Sequence, residues 1–279
     1  MANVCDYVKW RGDLSLEQSE FNEIDNLILS RFSYFPFDNI IKETEIVTIK
    51  ELSERFKKQD VSKLPILWKD DVDLFPLMGE SKRYGEMYAT KYINKIDVEQ
   101  EKQFSAITIL MPDNTIFVSY RGTDNTIVGW KEDLNMSFKS HIASQISAKK
   151  YLEMIAKEYP NKKIRIGGHS KGGNIAVYAA TFVSNEIKDR IINVYNNDGP
   201  GFCDDVIETP EYQEMIKKVH TYIPQSSVIG RLMNHREKYT VVESVQKGIM
   251  QHDLYSWEVL GKEFVTLEEV TNGSEFVDK

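Results

Sequence analysis

Gly168-His169-Ser170-Lys171-Gly172 is the run that most constrains this chain, because of what stands on either side of it. Residues 163–167 read as a short strand and residues 173–183 as a helix of small side chains. A G-x-S-x-G that passes directly from strand to helix forms a tight elbow, with the serine hydroxyl standing above the sheet. Gly168 and Gly172 are needed because the strand and helix backbones pass close there and a side chain would collide. The serine also opens a helix, whose free N–H groups and dipole favour negative charge. Ser170 is therefore the candidate nucleophile. Two other uses of the run are a glycine-rich turn with a helix-capping serine and a phosphate-binding loop. The second lacks the G-x-x-x-x-G-K-[ST] spacing.

The surrounding pattern predicts an α/β fold with a mostly parallel central sheet flanked by helices. From residue 142 onward helix and strand alternate: a helix over 142–159 ended by Pro160-Asn161, then strands over 163–167, 191–195, 219–223 and 239–242, the last closing the sheet. Upstream, the sheet begins near residue 87. Strands over 104–111 and 115–120 flank a turn at Pro112-Asp113-Asn114, a hairpin signal. The first sixty residues read as helical, over 14–29 and 49–58, with Thr48 and Glu51 at the spacing of a capping box. No repeat or linker interrupts the chain. The reading is one domain over 1–279: a helical addition over 1–85 without recognisable chemistry, then a core over 86–265.

Composition narrows the function classes. The 279 residues carry a net charge of −8 and no basic stretch, which argues against nucleic acid and against an anionic membrane surface. No apolar run approaches the roughly 18 residues of a membrane span. Charges occupy the positions where a signal peptide would need an apolar segment, so a cytoplasmic location is expected. Cys5 and Cys203 read as reduced thiols and are too few for a cysteine-based zinc site. No metal or cofactor is expected.

Acyl transfer by a serine also needs a base, an orienting acid and two N–H donors aimed at the developing oxyanion. One donor comes from the residue after the nucleophile, Lys171. The other comes from a loop after an earlier strand, and Thr123 is at that place; a simple turn about Gly122 is the alternative there. Of the five histidines, His235 and His252 follow the serine in the order nucleophile, acid, base. His252 is preferred because it lies in a loop after the presumed last strand. The side chain of His169 should point away from Ser170, and His141 and His220 border regular elements. Asp198 follows the strand at 191–195 and is the candidate acid, although an aspartate before Gly199-Pro200 also suits a cap or turn. Asp204, Asp253 and Glu243 are poorer candidates.

Tyr120-Arg121-Gly122-Thr123, then Gly129-Trp130-Lys131-Glu132-Asp133-Leu134, resembles the F-R-G-[ST]…W-x-x-D-[LF] segment of class 3 (fungal-type) lipases, members of the α/β-hydrolase superfamily. Gly168-His169-Ser170-Lys171-Gly172-Gly173-Asn174 resembles their elbow, in the same order and at similar spacing. This likeness covers about residues 100–260. The whole chain, including Tyr7-x-x-Trp10-Arg11-Gly12-Asp13-Leu14 and a Q-H-x-x-x-x-W pattern ending at Trp257, looks closer to an uncharacterised bacterial branch, whose members often extend past the point where this chain stops. The resemblance implies an oxyanion hole of Thr123 and Lys171 and a lid over 124–136. In that stretch Trp130 and Leu134 also suit an ordinary helix face. One departure stands out. Where class 3 lipases carry their acid in D-x-[VI]-P, residues 222–230 contain serines at 226 and 227 and no carboxylate. Asn196–Phe202 instead resembles the G-L-D-P-A-x-P segment of pancreatic-type lipases, whose acid sits one strand earlier. Together these imply hydrolysis of small-molecule or lipid esters by Ser170, His252 and Asp198. Acyl transfer by the same serine, a non-catalytic lipid- or peptide-binding descendant, and an interaction module working through the N-terminal helices are the alternatives.

Overall fold

A computed structural model describes residues 1–97, 99, 102–123 and 141–268. Its central element is a nine-stranded sheet in the order β1-β2-β3-β4-β5-β6-β7-β8-β11. These strands are β1 (Ile46–Thr48), β2 (Tyr88–Asp97), β3 (Lys102–Leu110), β4 (Thr115–Tyr120), β5 (Lys163–His169), β6 (Ile191–Asn197), β7 (Val219–Pro224), β8 (Tyr239–Val242) and β11 (Thr266–Leu267). β9 (Val259–Leu260) and β10 (Glu263–Phe264) form a separate antiparallel pair. Strands β4 to β8 are mutually parallel and form the centre of an α/β sheet. Antiparallel strands extend it at both ends. β8 is thus not the last strand as expected: the chain returns and β11 covers its edge. Two residues in β11 are too short a segment to show a period.

Helices cover both faces. On one side lie α1 (Val4–Arg11), α2 (Glu23–Phe32), α3 (Ile49–Lys57) and α4 (Asp71–Glu80), with α2 packed on β4, β5 and β6. On the other, α6 (Lys171–Phe182) packs on β4, β5 and β6, and α5 (Ala143–Glu158) packs on α6. The N-terminal helical addition therefore supplies one of the two layers that bury the sheet. α6 lies between sheet and helix, which is why its small side chains are buried nearly all round. The single helix expected over 14–29 is instead the end of one turn region followed by α2. Asn22 caps α2 by accepting from Ile24 and Asp25, and the Asp25 side chain accepts from the Asn22 N–H, a reciprocal box that sets the start at Glu23.

Parallel register decides where the loops emerge. Tyr120 pairs with Gly168, His169 with Asn197, and Asn197 with Tyr222. The carboxyl ends of β4, β5, β6 and β7 consequently lie level, and the loops beginning at residues 121, 170, 198 and 225 emerge side by side.

Two buried ion pairs tie the N-terminal layer down. Arg31 donates to Asp71 from Nε at 2.7 Å and from Nη2 at 2.6 Å, and Tyr255 adds its hydroxyl at 2.6 Å. Burial opposes the Arg31 charge, but Asp71 outweighs it and the guanidinium stays protonated. Arg83 clasps Asp25, with one bond of 2.6 Å from Nε, and reaches the carbonyls of Ser19 and Glu20 at 2.9 and 3.1 Å. Asp25 also accepts from the Tyr84 hydroxyl at 2.6 Å. No helix among the described residues is long and apolar enough to cross a membrane. Arg83→Leu should strand the buried Asp25 carboxylate and lower the unfolding free energy by about 3–5 kcal/mol. Urea denaturation measures this, and a loss below 1 kcal/mol would show the pair to be dispensable.

Candidate active site

Ser170 occupies φ 60° and ψ −137°, a region that residues with a Cβ rarely adopt and that costs about 1–3 kcal/mol. Backbone bonds hold it there. Its N–H donates to the Asn197 carbonyl and its own carbonyl accepts from Gly173, both at 2.9 Å. The elbow closes only because two glycines let the backbones meet. A Cβ on Gly168 would lie 2.3 Å from the Gly172 carbonyl carbon, and one on Gly172 would lie 2.3 Å from the Tyr120 oxygen. The Ser170 hydroxyl makes no capping bond to α6, so the capping alternative is excluded.

Asp198 stands one strand further along, fully buried and at φ 53°. Its N–H donates to the Tyr222 carbonyl at 2.8 Å. It does not serve as the turn residue: the Gly199 N–H is taken at 3.0 Å by the Asn196 side chain instead. The Asp198 carboxylate points at three donors. Oδ2 meets His252 Nδ1 at 2.6 Å, while Oδ1 accepts from the Gly230 N–H at 3.1 Å and from the Ser227 hydroxyl. Asn174, in the first turn of α6, donates to the carbonyls of Pro200 and Gly201 at 3.1 and 2.7 Å and anchors the loop that follows.

His252 ends a short 3₁₀ turn, Gly248–His252, with its side chain one-fifth exposed. The turn is held firmly. Gln251 accepts from the Ser226 N–H at 2.8 Å, Trp257 Nε1 donates to the Gln251 carbonyl at 2.8 Å, and His169 Nε2 meets the His252 carbonyl at 2.8 Å. These bonds give the Gln-His…Trp spacing its physical sense. A carboxylate at Nδ1 favours the tautomer with the proton on that nitrogen, which leaves the lone pair on Nε2.

The oxyanion candidates sit on separate elements. Lys171 is the first residue of α6. Thr123 follows Gly122, whose added Cβ would lie 3.0 Å from the Ser170 Cβ, so this loop lies against the elbow. The expected lid at 124–136, with Trp130 and Leu134, lies outside the described residues. His235, the second candidate base, bonds to Glu237 at 2.9 Å rather than to Asp198. Burial would raise the Glu237 carboxyl, but the bond to His235 outweighs it and brings it to about 2. His141 meets the Tyr178 hydroxyl and His220 the Asn193 amide, each at 2.9 Å. Asp253 caps the turn at Leu254–Ser256, and Asp204 accepts from Asn234. The described residues contain no group of three or more metal-ligating side chains.

Three contributors escape the sequence reading: the supporting bond of His169, Ser227 and Gly230. Only the serines at 226–227 leave a trace in the sequence, as an unexpected residue type.

Residues 78–279 match the family model described as Mbeg1-like. No curated protein matches the sequence. Among solved structures, native Rhizomucor miehei lipase in its propeptide complex is 15% identical, covers 57% of this chain and 58% of its own, and gives a TM-score of 0.44. This chain thus spans less than two thirds of that lipase's length. Lipase II from Rhizopus niveus is 10% identical over 84% of this chain and 93% of its own, with a TM-score of 0.44. A lipase from Rhizopus microsporus var. chinensis is 14% identical over 87% and 88%, with a TM-score of 0.41.

Burial, followed by the neighbouring His252 and Arg31, holds the His169 pKa well below 6.5. The unfolded chain, titrating near 6.5, then binds a proton that the folded protein refuses. The stability from neutral His169 is complete above about pH 6.5 and falls with pH by up to about 1.4 kcal/mol per unit. His169→Gln should flatten this dependence between pH 7.5 and 5, as measured by thermal melts of both proteins. Parallel pH dependences would contradict the assignment.

Proposed function

The chain belongs to the Mbeg1-like family, and from that premise we propose that it is a serine hydrolase cleaving carboxylic esters through an acyl-enzyme. The observation that carries this reading is the 2.6 Å bond from His252 Nδ1 to the buried Asp198 carboxylate, beside an elbow that strains Ser170 outward. In this mechanism Ser170 Oγ attacks the ester carbonyl while His252 Nε2 takes its proton. Asp198 remains ionised, holds the tautomer and stabilises the imidazolium. The N–H groups of Thr123 and Lys171 receive the oxyanion. Collapse of the tetrahedral intermediate breaks the ester C–O bond, and His252 returns the proton to the departing alcohol. Water, deprotonated by the same nitrogen, then releases the acid and restores Ser170.

The serines at 226 and 227 favour a non-catalytic descendant only while the acid is missing. Asp198 supplies a carboxylate from the preceding strand, and Ser227 donates to it, which supports the catalytic reading instead. An apolar acyl group suits the surface: Val228 and Leu232 are exposed on the loop after β7, and Ile249 and Met250 on the turn that ends at His252. Those loops are joined by the Ser226–Gln251 and Gln225–Ser244 bonds, both 2.8 Å.

A fluorophosphonate probe tests the proposal, because it reacts only with an activated serine. Wild type should label, Ser170→Ala should not, and His252→Ala should label far more slowly. Asp198→Asn should lower kcat for a p-nitrophenyl ester by about 10³–10⁴-fold. Folded wild type that neither labels nor turns over the ester would sink the reading.

A further inference from the structure

The site depends on a residue that precedes the family match. Tyr34 follows α2, outside residues 78–279. Its hydroxyl donates to the His169 carbonyl at 2.9 Å and accepts from the Gly122 N–H at 2.9 Å. His169 precedes the nucleophile, and Gly122 precedes Thr123. One buried phenol therefore bridges the two loops whose amides would share an oxyanion.

Resting on the hydrolase reading above, we propose that Tyr34 is a positioning residue that sets the spacing of the oxyanion donors. Three features make the bridge rigid. Tyr34 is only 6% exposed, and the Arg31 guanidinium lies 4.3 Å from its ring centroid. Arg31 is itself fixed by its two bonds to Asp71. Gly122 packs directly against both partners: a Cβ there would lie 2.3 Å from the Tyr34 hydroxyl and 2.7 Å from the His169 carbonyl.

The consequences are directional. A Gly122 N–H committed to Tyr34 cannot turn toward a substrate, so the next amide, that of Thr123, is the donor on this loop. The His169 carbonyl, held by Tyr34, orients the peptide whose N–H bonds to Asn197. That peptide leads directly into Ser170 and the Lys171 amide. Oxyanion donors act only when held within about 0.5 Å of their place, so a bridge between their loops bears on rate more than on substrate binding.

Tyr34→Phe removes one oxygen atom and keeps the ring over Arg31. The test compares p-nitrophenyl butyrate with its thionoester, in which sulfur, larger and a weaker hydrogen-bond acceptor, replaces the carbonyl oxygen. Wild type should strongly prefer the oxygen ester. In Tyr34→Phe, kcat for that ester should fall about ten- to hundredfold with KM little changed, and the ester-to-thionoester rate ratio should fall about tenfold. The ratio is independent of how much protein is folded, so it reports on the site even if the variant loses stability. A wild-type ratio and kcat per labelled serine in Tyr34→Phe would overturn the inference while leaving the hydrolase reading intact. Wild type that neither labels with fluorophosphonate nor cleaves the ester would overturn both.

Discussion

Ser170 can stand at φ 60° only because its surroundings leave it no alternative. The strain, about 1–3 kcal/mol, is of the same size as the combined worth of the bonds that oppose it, each contributing about 0.5–1.5 kcal/mol. Those bonds come from three directions: Asn197 on β6, Gly173 on α6 and, through the preceding carbonyl, Tyr34. They form only if strand and helix backbones nearly touch, which Gly168 and Gly172 permit. The elbow is thus a consequence of packing around it as much as of its own five residues.

Polar contacts in the core carry the same constraint outward. Asn197 sits immediately before Asp198, and its side chain donates to the carbonyl of Gly168 at 3.0 Å. It also exchanges bonds with Asn26 on α2, at 2.9 and 3.2 Å, and donates to Ser30 at 3.1 Å. Ser119 on β4 reaches the Ser30 carbonyl at 3.2 Å. Such a buried network tolerates one arrangement, because any slip leaves an amide or hydroxyl unsatisfied. α2 therefore fixes the relative heights of β4, β5 and β6, and with them the loops that carry Gly122, Ser170 and Asp198.

Asp198 illustrates how parallel strands can share one partner. The carboxyl ends of β6 and β7 lie side by side, so a carboxylate from either strand could reach the His252 imidazole. Here the carboxylate comes from the end of β6. Ser227, on the loop after β7, turns its hydroxyl to that carboxylate, and the Gly230 N–H completes the shell. A buried carboxylate with three donors avoids most of the desolvation penalty it would otherwise meet.

Much of this protein is legible in its sequence, because the signals are local. Strand and helix periodicities over 115–120, 143–158 and 163–183 depend on neighbours a few residues away, as does the glycine spacing around Ser170. Asp198 and His252 are readable from chain order and from their place after strands, and the fold brings them within 2.6 Å. The start of α2 and the covering strand β11 are missed, since a cap competes with a longer apolar pattern and a two-residue strand has no period. Tyr34, the supporting role of His169 and the bond of Ser227 to Asp198 were decided by tertiary structure alone. Their partners lie 135, 83 and 29 residues away. A hydrogen bond closed over such distances leaves no periodicity in the chain: it exists only once the sheet has set the register and the N-terminal helices have been laid against it.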